Sequence, residues 1–498
     1  QLRRPPVAKI AIIEPEDQRL SSILIYRSRC MQINERGESA EARPVAIIST
    51  DPATKPISIG PPRNRKEALL SEWWNGYFNA EKEEMKSHFE NKTWILVPRS
   101  QVPDGVPILR DRWAYDDKLA PGGKVIERFK ARLTAMGCFQ KAGVDFTDTY
   151  ASVMSTRMFR YLLQIYNSAE ENTMEHWDVS TAFIHATLKE KVYMKQASGH
   201  EEKGKENYVY LLVKALYGTK QAAHAWQQHL KKLLEDAGFV SLTLDPATYT
   251  KREGSAYTIV GTHVDDLFVV SNLAGRKLKE HLWAHLTSKL KIKTLGEAKW
   301  TLQMLIQRDA RGGVLKLSQE AFILEVLRRF KIDECTSAPT PAVDSGAEAT
   351  MSDEDLPKAD ETKMDILPFQ ELIGCFWWLA QMTRPDIFVA LQKASQYVNR
   401  PSPKLWRWLT RIAKYLVGTR TLGLVYQRNG DAPNLEAYFD AAFAEGPECK
   451  STVGWAYFIN GALIAYDSST IKRVVTSSTE AECTALTVIG KENSWQRQ

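Results

Sequence analysis

Two adjacent aspartates, Asp265 and Asp266, lie between two strongly apolar, β-branched runs in the segment IVGTHVDDLFVV. Burying unpaired carboxylates beside a strand costs several kcal/mol, so a favourable interaction should offset that cost. A carboxylate pair at a hairpin tip could hold divalent cations through hard oxygen ligands. The alternative is a solvated Asp-Asp turn, because acidic residues are good turn formers. This segment alone favours neither interpretation.

A third acidic candidate, Asp178, ends an apolar strand in the segment TMEHWDVSTAFIH, where Ser180 or Thr181 can cap a following helix. An aspartate at a helix start is favoured by the helix dipole, and for this segment alone that explanation is the better one. The chain between Asp178 and Asp265 is nevertheless long enough for their strands to be neighbours. Three carboxylates on neighbouring strand ends would suit a two-metal site for phosphoryl transfer.

The composition is that of an ordinary globular protein. The 498 residues, of which 44% are hydrophobic and 25% charged, predict about three domains and exclude a small disulfide-stapled scaffold. A net charge of +6 is compatible with a polyanion partner but does not require one. The six cysteines include no CxxC pair, which favours reduced thiols in an intracellular compartment. The longest apolar run, LIGCFWWLA, is too short to span a bilayer.

Hydrophobic periodicity divides the chain into regions. Residues 1–64 show no hydrophobic periodicity that lasts for the length of a helix or strand, and they are predicted to be a linker. Helical spacing begins at Lys66, and two strand-like runs separated by LAPGG then predict a β-hairpin. The segment SAPTPAVDSGAEATMSDEDLP is predicted to be an exposed connector. After it, FQELIGCFWWLAQM and PKLWRWLTRIAKYLVGT predict two helices, and the last stretch predicts a strand, further strands and a helix.

Nine segments follow one another along residues 66–498: EALLSEWWNGYF, ENKTWILVPR, ERFKARLTAMGCFQKAGVDFTDTYASV, WDVSTAFIHATLKEKVYMKQ, ALYGTKQAAHAW, HVDDLFVV, TRPDIFVA, YLVGTRTLGLVY and SSTEAECTAL. In this order they resemble the reverse transcriptase and RNase H part of a copia-type LTR retrotransposon polyprotein. A chance motif match would not extend over such a span.

The resemblance implies an α+β protein with the right-hand fold of a polymerase, made of fingers, an RRM-like palm and a thumb, followed by a partial RNase H-like α/β domain. It assigns residues 65–330 to the fingers and palm, 331–425 to the thumb and connection, and 426–498 to a C-terminally truncated RNase H-like domain. Because later strands and a helix of that domain are expected to be missing, the domain is predicted to bury little core.

By the same resemblance, Asp178, Asp265 and Asp266 are the catalytic residues and hold two Mg²⁺ ions, with Mn²⁺ as the alternative metal. No protein nucleophile is needed for the implied nucleotidyl transfer.

Four further residues are expected to bind the nucleotide. Phe183 would close off the sugar 2′ position, whereas Lys130 and Arg132 would contact the triphosphate or the template backbone. Gly218 would permit a close approach of the backbone to the nucleotide. Without the resemblance, the plainer interpretations are a core aromatic, a solvated strand face and an ordinary turn glycine.

A second metal site is implied in the RNase H-like region. Asp440 in YFDAAFAE and Glu482 in STEAEC match the first two acids of that site. Glu480 is rejected, since the family pattern places the ligand two residues later. The structural alternative for Glu482 is a first-turn helix acid, which the dipole favours. With only these two acids of the cluster, little or no RNase H activity is expected.

Four positions depart from the family pattern. His263 replaces the Tyr of the Tyr-x-Asp-Asp tetrad, and Gln303 stands where a Gly is typical near the primer grip. Ala223 and His224 occupy positions that are usually Pro and Arg. The three carboxylates of the palm are all retained.

The implied function is that of an RNA-directed DNA polymerase, which extends a primer 3′-OH on an RNA or DNA template with deoxynucleoside triphosphates (dNTPs). Its implied partners are the RNA template, the DNA primer, the RNA–DNA hybrid and the integrase, protease and capsid segments of the polyprotein, with no membrane. The implied location is intracellular, in cytoplasmic virus-like particles or in a nuclear phase. Two alternatives stay open: a decaying remnant that only binds nucleic acid, and a metal-dependent nuclease without polymerase activity.

Overall fold

The computed structural model describes residues 61–119, 126–343, 351–356, 367–428, 434–444 and 450–496. Most of the predicted linker, the LAPGG turn after its first residue and part of the predicted connector lie outside these residues. The described part of the chain is a mixed α+β structure with five sheets.

The helices follow the apolar periodicity of the sequence. They are α1 (Arg65–Leu69), α2 (Trp74–Glu90), α3 (Thr156–Asn167), α4 (Ala222–Asp236), α5 (Arg276–Thr287), α6 (Glu320–Arg329), α7 (Leu367–Met382), α8 (Phe388–Ser395), α9 (Pro403–Gly418) and α10 (Ser478–Gln496). Short 3₁₀ turns cover Arg99–Gln101, Gly137–Phe139, Ala182–His185, Asp353–Asp355 and Pro385–Ile387.

The strands fall into an N-terminal, a central and a C-terminal group. In the N-terminal group are β1 (Trp94–Pro98), β2 (Ile108–Leu109), β3 (Asp111–Leu119), β4 (Ile126–Ala135), β5 (Thr173–Val179), β6 (Thr187–Lys195) and β7 (Tyr208–Lys214). The central group comprises β8 (Val240–Ser241), β9 (Thr248–Glu253), β10 (Ala256–His263), β11 (Asp266–Ser271), β12 (Ile292–Glu297), β13 (Trp300–Thr301), β14 (Met304–Asp309) and β15 (Val314–Ser318). The C-terminal group comprises β16 (Gly423–Gln427), β17 (Leu435–Ala442), β18 (Thr452–Ile459) and β19 (Ala462–Thr470).

The largest sheet is antiparallel, with six strands in the order β12-β5-β11-β10-β9-β8. Its central strands are rich in β-branched and aromatic residues, which suit a pleated, buried surface. Alternate side chains of β11 enter two different cores, Leu267 and Val269 on one face and Phe268 and Val270 on the other. Burial on both faces therefore fixes the register of this strand.

The two N-terminal runs predicted as a hairpin do pair, as antiparallel strands β3 and β4. Trp113 and Leu133 face each other across this hairpin and are both buried. Helix α2 packs on β4 and buries one side, which carries Tyr77 and Met85. A second sheet, in the order β1-β7-β6-β2, shares this core with one face of the six-stranded sheet.

Helices α6 to α9 form a separate apolar core. The two helices predicted from the sequence are confirmed as α7 and α9. Helix α9 begins with favourable capping chemistry, because Ser402 accepts a hydrogen bond from the amide of Leu405 and Pro403 occupies the first turn.

The C-terminal residues form the sheet β17-β18-β19 with α10 packed against it, as the sequence pattern indicated. The expectation that this region buries little core is wrong. Val453, Tyr457 and Ile489 belong to a core of its own, and Ala462 and Ile464 of β19 enter the core on the second face of the six-stranded sheet. The segment is therefore packed against the rest of the protein through β19.

A buried arginine joins these parts. Arg160 of α3 is 3% exposed and donates hydrogen bonds to the carbonyls of Gln381, Met382 (3.1 Å) and Ile464 (3.2 Å) and to the hydroxyl of Tyr466 (3.1 Å). The Tyr466 hydroxyl donates in turn to the carbonyl of Ala380 at 2.7 Å. This set, called the Arg160 cluster below, connects α3, α7 and β19.

The four cysteines within the described ranges, Cys138, Cys335, Cys375 and Cys483, are free thiols, as predicted. In the part of the chain that the structure describes, no helix combines the length and apolarity needed to cross a membrane.

Candidate active site

The three aspartates singled out in the sequence lie together at the ends of two neighbouring inner strands of the six-stranded sheet, β5 and β11. Asp178 near the end of β5 is the register partner of Asp266 at the start of β11. Side chains of directly opposed residues lie on the same face, with Cβ atoms about 5 Å apart. Asp265 occupies the hairpin loop immediately before Asp266, between β10 and β11. The fold thus brings together carboxylates from two distant segments.

The hairpin tip is held by backbone hydrogen bonds. The amide of Val179 donates to the carbonyl of Asp265 at 2.9 Å. The indole Nε1 of Trp226, in α4, donates to the carbonyl of Val264 at 2.6 Å. Val264 has a φ of +57°, which is rare for a β-branched residue. The loop that carries Asp265 is therefore tied to the sheet and to a helix.

The electrostatics of Asp265 show that negative charge is concentrated at this edge. Burial raises the pKa of Asp265, and the negative charge of Asp266 raises it further. Asp178 adds to the effect, whereas the residue's own backbone hydrogen bond and the cation of Arg132 oppose it. A bound cation would relieve this repulsion.

The other two carboxylates have cationic or imidazole partners. The Nε2 atom of His176, a buried residue, lies 2.6 Å from Oδ1 of Asp266. Nζ of Lys293 lies 3.2 Å from Oδ2 of Asp178, and 62% of that lysine side chain is exposed. Within the described ranges, no three His, Cys, Asp or Glu side chains converge closely enough to hold a metal ion. His176 and Lys293 thus each contact one oxygen of a carboxylate that a shared cation would use.

Phe183 lies close to these acids in the chain, on the 3₁₀ turn Ala182–His185. The expectation that Ser180 or Thr181 caps a helix here is wrong. Thr181 has a φ of +55° and makes no side-chain cap, and its hydroxyl donates instead to the carbonyl of Ser180 at 2.7 Å. The chain turns sharply after Asp178 and presents a half-buried Phe183.

Phe183 and Arg132 both contact Tyr217, in the loop after β7. The rings of Phe183 and Tyr217 meet edge to face with centroids 4.6 Å apart. The guanidinium carbon of Arg132 lies 5.9 Å from the Tyr217 ring centroid. The positive charge of Arg132 also opposes the rise in the pKa of Asp265. Phe183, Arg132 and Asp265, three of the predicted site residues, therefore lie near one another.

Gly218 adjoins this region and packs against backbone. Its φ is +86°, and a Cβ there would lie 2.2 Å from the carbonyl oxygen of Ala135. The carbonyl of Gly218 accepts from the amide of Gly137 at 3.1 Å. The close approach that this glycine allows is therefore to the end of β4, and its predicted contact with a nucleotide stays a prediction.

Lys130 lies two residues before Arg132, on the same face of β4. Burial lowers the pKa of Lys130 to about 8, and the charges of Arg132 and Lys118 contribute to the shift. A surface where cations depress one another's pKa attracts polyanions.

The acids proposed for a second site lie in the C-terminal sheet and helix. Asp440 is exposed on β17, opposite Gly454, and Glu482 is exposed on α10, which packs against β17. Glu480 is the first-turn acid of α10, so the structural alternative offered for Glu482 is wrong. The carboxylate of Glu480 accepts from the amide of Thr476 at 2.9 Å, while Ser477 accepts from the Glu480 amide, in the manner of a capping box.

Comparison with known proteins identifies the chain. Residues 91–344, slightly more than half of its length, match the family described as reverse transcriptase (RNA-dependent DNA polymerase). The chain belongs to the reverse transcriptase family.

Its curated relatives are polyproteins of copia-type retrotransposons. The chain is 32% identical over 441 residues to the retrovirus-related Pol polyprotein from transposon TNT 1-94 of Nicotiana tabacum, covering 88% of this chain and 32% of that protein. It is 32% identical over 437 residues to the corresponding polyprotein from transposon RE1 of Arabidopsis thaliana, covering 87% of this chain and 28% of that protein. The chain spans about a third of the length of these relatives.

Among solved structures, one similar chain is the foamy viral protease-reverse transcriptase in complex with double-stranded DNA. The TM-score is 0.46 with 12% sequence identity, over 84% of this chain and 60% of that chain.

The positions that depart from the usual reverse transcriptase sequence have clear structural settings. Leu302 and Gln303 form the two-residue loop between β13 and β14, with φ values of +47° and +63°. Positive φ at both loop positions is the pattern of a type I′ turn, which favours glycine. Nδ1 of His224 lies 2.6 Å from the carbonyl of Tyr150, and His263 pairs with Asp266 in the ladder.

Sequence reasoning missed His176, Lys293, Trp226 and Tyr217. Trp226 and Tyr217 lie within a segment already quoted for the family, so the signal was present but carried no role. His176 is two residues before Asp178, and strand alternation would have placed it on the same face. The position of Lys293 depends on the pairing of β12 with β5, which no local sequence pattern indicates.

Proposed function

We propose that this reverse transcriptase chain is a catalytically competent RNA-directed DNA polymerase that extends a primer on an RNA or DNA template. The observation that supports it best is the register that places Asp178 opposite Asp266, with Asp265 in the adjoining loop. Packing of the sheet does not require acidic residues at the ends of both β5 and β11, which come from segments far apart in sequence. Shared chemistry is the simplest reason for them to meet there.

The proposal assigns the helices and sheets to the parts of a right-hand polymerase. The six-stranded sheet with α3 to α5 is the palm, and α1, α2, the hairpin β3-β4 and the sheet β1-β7-β6-β2 are the fingers. Helices α7 to α9 are the thumb and connection, and β17 to β19 with α10 are the RNase H-like region.

The donor set fits divalent cations. Asp178, Asp265 and Asp266 offer only hard carboxylate oxygens, which Mg²⁺ and Mn²⁺ accept. Burial and, after it, the charges of Asp266 and Asp178 raise the pKa of Asp265, and a bound cation would offset both effects. Two bound Mg²⁺ ions would lower the pKa of the primer 3′-hydroxyl and neutralise charge on the triphosphate.

The remaining residues would bind and orient the nucleotide. Lys130 and Arg132 would hold the triphosphate by charge and hydrogen bonds from the fingers side. Phe183, supported by the edge of Tyr217, would lie under the sugar and exclude a 2′-hydroxyl. Each of these groups binds or positions the dNTP, and none forms a covalent bond to it.

The partners follow from this activity. They are an RNA template, a DNA primer, their hybrid and dNTPs, together with the integrase, protease and capsid segments of the same polyprotein. We place the protein inside the cell, in cytoplasmic virus-like particles. A second metal site at Asp440 and Glu482 is proposed to be incomplete, so that RNase H activity is little or none.

Primer extension tests the proposal. The chain should extend a DNA primer on an RNA template with Mg²⁺, and a chelator should abolish the extension. Asp265→Asn removes one carboxylate and is expected to lower the rate at least about a hundredfold while the protein stays folded. The matched control is Asp236→Asn, an exposed aspartate at the end of α4.

Robust extension by Asp265→Asn would refute the assignment of this site. A wild-type chain that binds a primer-template duplex but does not extend it would indicate a remnant that only binds nucleic acid.

A further inference from the structure

The tip of the β10-β11 hairpin has an unusual backbone conformation. Its loop consists of two residues, and of these only Val264 has a positive φ, at +57°. Positive φ at the first loop position alone is the pattern of a type II′ turn, which strongly prefers glycine there. A β-branched residue in that conformation persists only where its surroundings impose it.

The surroundings impose it through two consecutive carbonyls. The carbonyl of Val264 accepts from the Trp226 indole at 2.6 Å, and the carbonyl of Asp265 accepts from the Val179 amide at 2.9 Å. The second bond comes from the sheet itself and would form with any residue at position 264. The first bond comes from a side chain outside the sheet, so it can be removed by substitution.

Trp226 is a rigid donor. It is 2% exposed and lies within the core shared by the fingers and the palm. The start of its helix is fixed by Gln221, which is 3% exposed. The side chain of Gln221 accepts from Nε2 of Gln140 at 3.0 Å and donates to the carbonyl of Asp145 at 2.8 Å. The helix that carries the indole N–H is thus anchored to the segment between β4 and α3.

We propose that Trp226 is a positioning residue for Asp265: its indole N–H fixes the strained Val264 peptide and thereby aims the next side chain at the site. The inference rests on the proposed function for its catalytic consequence, whereas its conformational part does not. It makes the segment between β4 and α3 a determinant of the geometry of the hairpin tip, because the donor belongs to a helix anchored by Gln140 and Asp145.

The test compares two Trp→Phe variants that lose the same kind of bond. Trp226→Phe removes the donor to Val264. Trp113→Phe is the matched control, since Trp113 is also 2% exposed and its Nε1 donates to the carbonyl of Ser198 at 3.1 Å, in the fingers. Val264→Gly relieves the positive φ, and the double variant Trp226→Phe/Val264→Gly completes a thermodynamic cycle.

Three measurements separate positioning from loss of stability. Trp226→Phe should lower kcat for primer extension about tenfold with little change in the KM for dNTP, since a small misplacement of a reacting group has effects of this size. It should also weaken Mn²⁺ binding, followed by electron paramagnetic resonance, and speed amide hydrogen exchange at the hairpin tip. Trp113→Phe, with a similar loss of thermal stability, should change none of the three.

The cycle gives the decisive outcome. Once residue 264 is glycine, adding Trp226→Phe should cost less than about threefold in kcat, because the turn no longer depends on the indole. Equal effects of Trp226→Phe in the two backgrounds, or equal behaviour of the two Phe variants, would overturn the inference. If the wild-type chain extends no primer, the proposed function fails. The inference is then decided by hydrogen exchange at the tip.

Discussion

Replacement of Arg160 by methionine should destabilise the whole protein. Methionine keeps most of the side-chain volume but leaves the carbonyls of Met382 and Ile464 and the Tyr466 hydroxyl without their donor. Each buried polar group left unsatisfied costs about 1–3 kcal/mol. Part of that cost is offset, because a guanidinium no longer has to be desolvated when the protein folds. We therefore expect Arg160→Met to lower the free energy of unfolding by about 3 kcal/mol.

Tyr466→Phe provides a graded comparison. It keeps the ring, whose centroid lies 4.7 Å from the Arg160 guanidinium carbon, and removes only the hydroxyl that donates to Ala380. The expected loss is about 1 kcal/mol. Arg329→Met is the matched control, because Arg329 forms a partly exposed ion pair with Glu371 and exposed pairs contribute little.

Urea denaturation followed by circular dichroism measures these differences. Hydrogen exchange over residues 462–470 shows whether the loss begins in β19. The reasoning is refuted if Arg160→Met unfolds within about 0.5 kcal/mol of Arg329→Met, a difference typical of surface substitutions.

Three further outcomes follow from the site. Phe183→Ala should incorporate ribonucleotides that the parent rejects. If a folded variant still uses dNTPs and keeps the parent's preference for them over ribonucleotides, Phe183 is only a core residue. The KM for dNTP should rise above pH 8, because the pKa of Lys130 lies at about 8 and its ammonium group loses its charge there. Lys130→Arg stays charged and should flatten that rise. Identical pH profiles of KM for the two proteins would exclude a contact between Lys130 and the dNTP. Cleavage of a labelled RNA–DNA hybrid with Mg²⁺ or Mn²⁺ should be weak or absent, and metal-dependent cleavage that disappears in Glu482→Gln would contradict this.

The sequence predicted the parts of the fold that depend on local pattern. The hairpin β3-β4 and the helices α7 and α9 were predicted because alternation, helical spacing and capping residues are local signals. The meeting of Asp178 with Asp266 could be expected only through the family resemblance, since strand pairing over such a distance leaves no local trace.

The errors have a common physical origin. The turn after Asp178 is expected to be a capped helix, but Thr181 takes a left-handed conformation beside Ser180, whose amide donates to the distant carbonyl of Lys291 at 2.8 Å. The C-terminal region was expected to bury little core, but Ala462 and Ile464 find partners across the molecule. Contacts between segments distant in sequence decided both cases, and no window of sequence contains them.

The Arg160 cluster has a consequence for the order of events on the ribosome. Arg160 and its acceptor Ile464 are separated by 304 residues. At about 5–20 residues per second, translation takes roughly 15–60 s to deliver the second after the first. During that interval α3 is present without its last partners, and the apolar surface that β19 later covers is open to chaperones. A chain that ends before residue 464 would therefore contain Asp178, Asp265 and Asp266 but would lack one of the acceptors that hold Arg160 of α3.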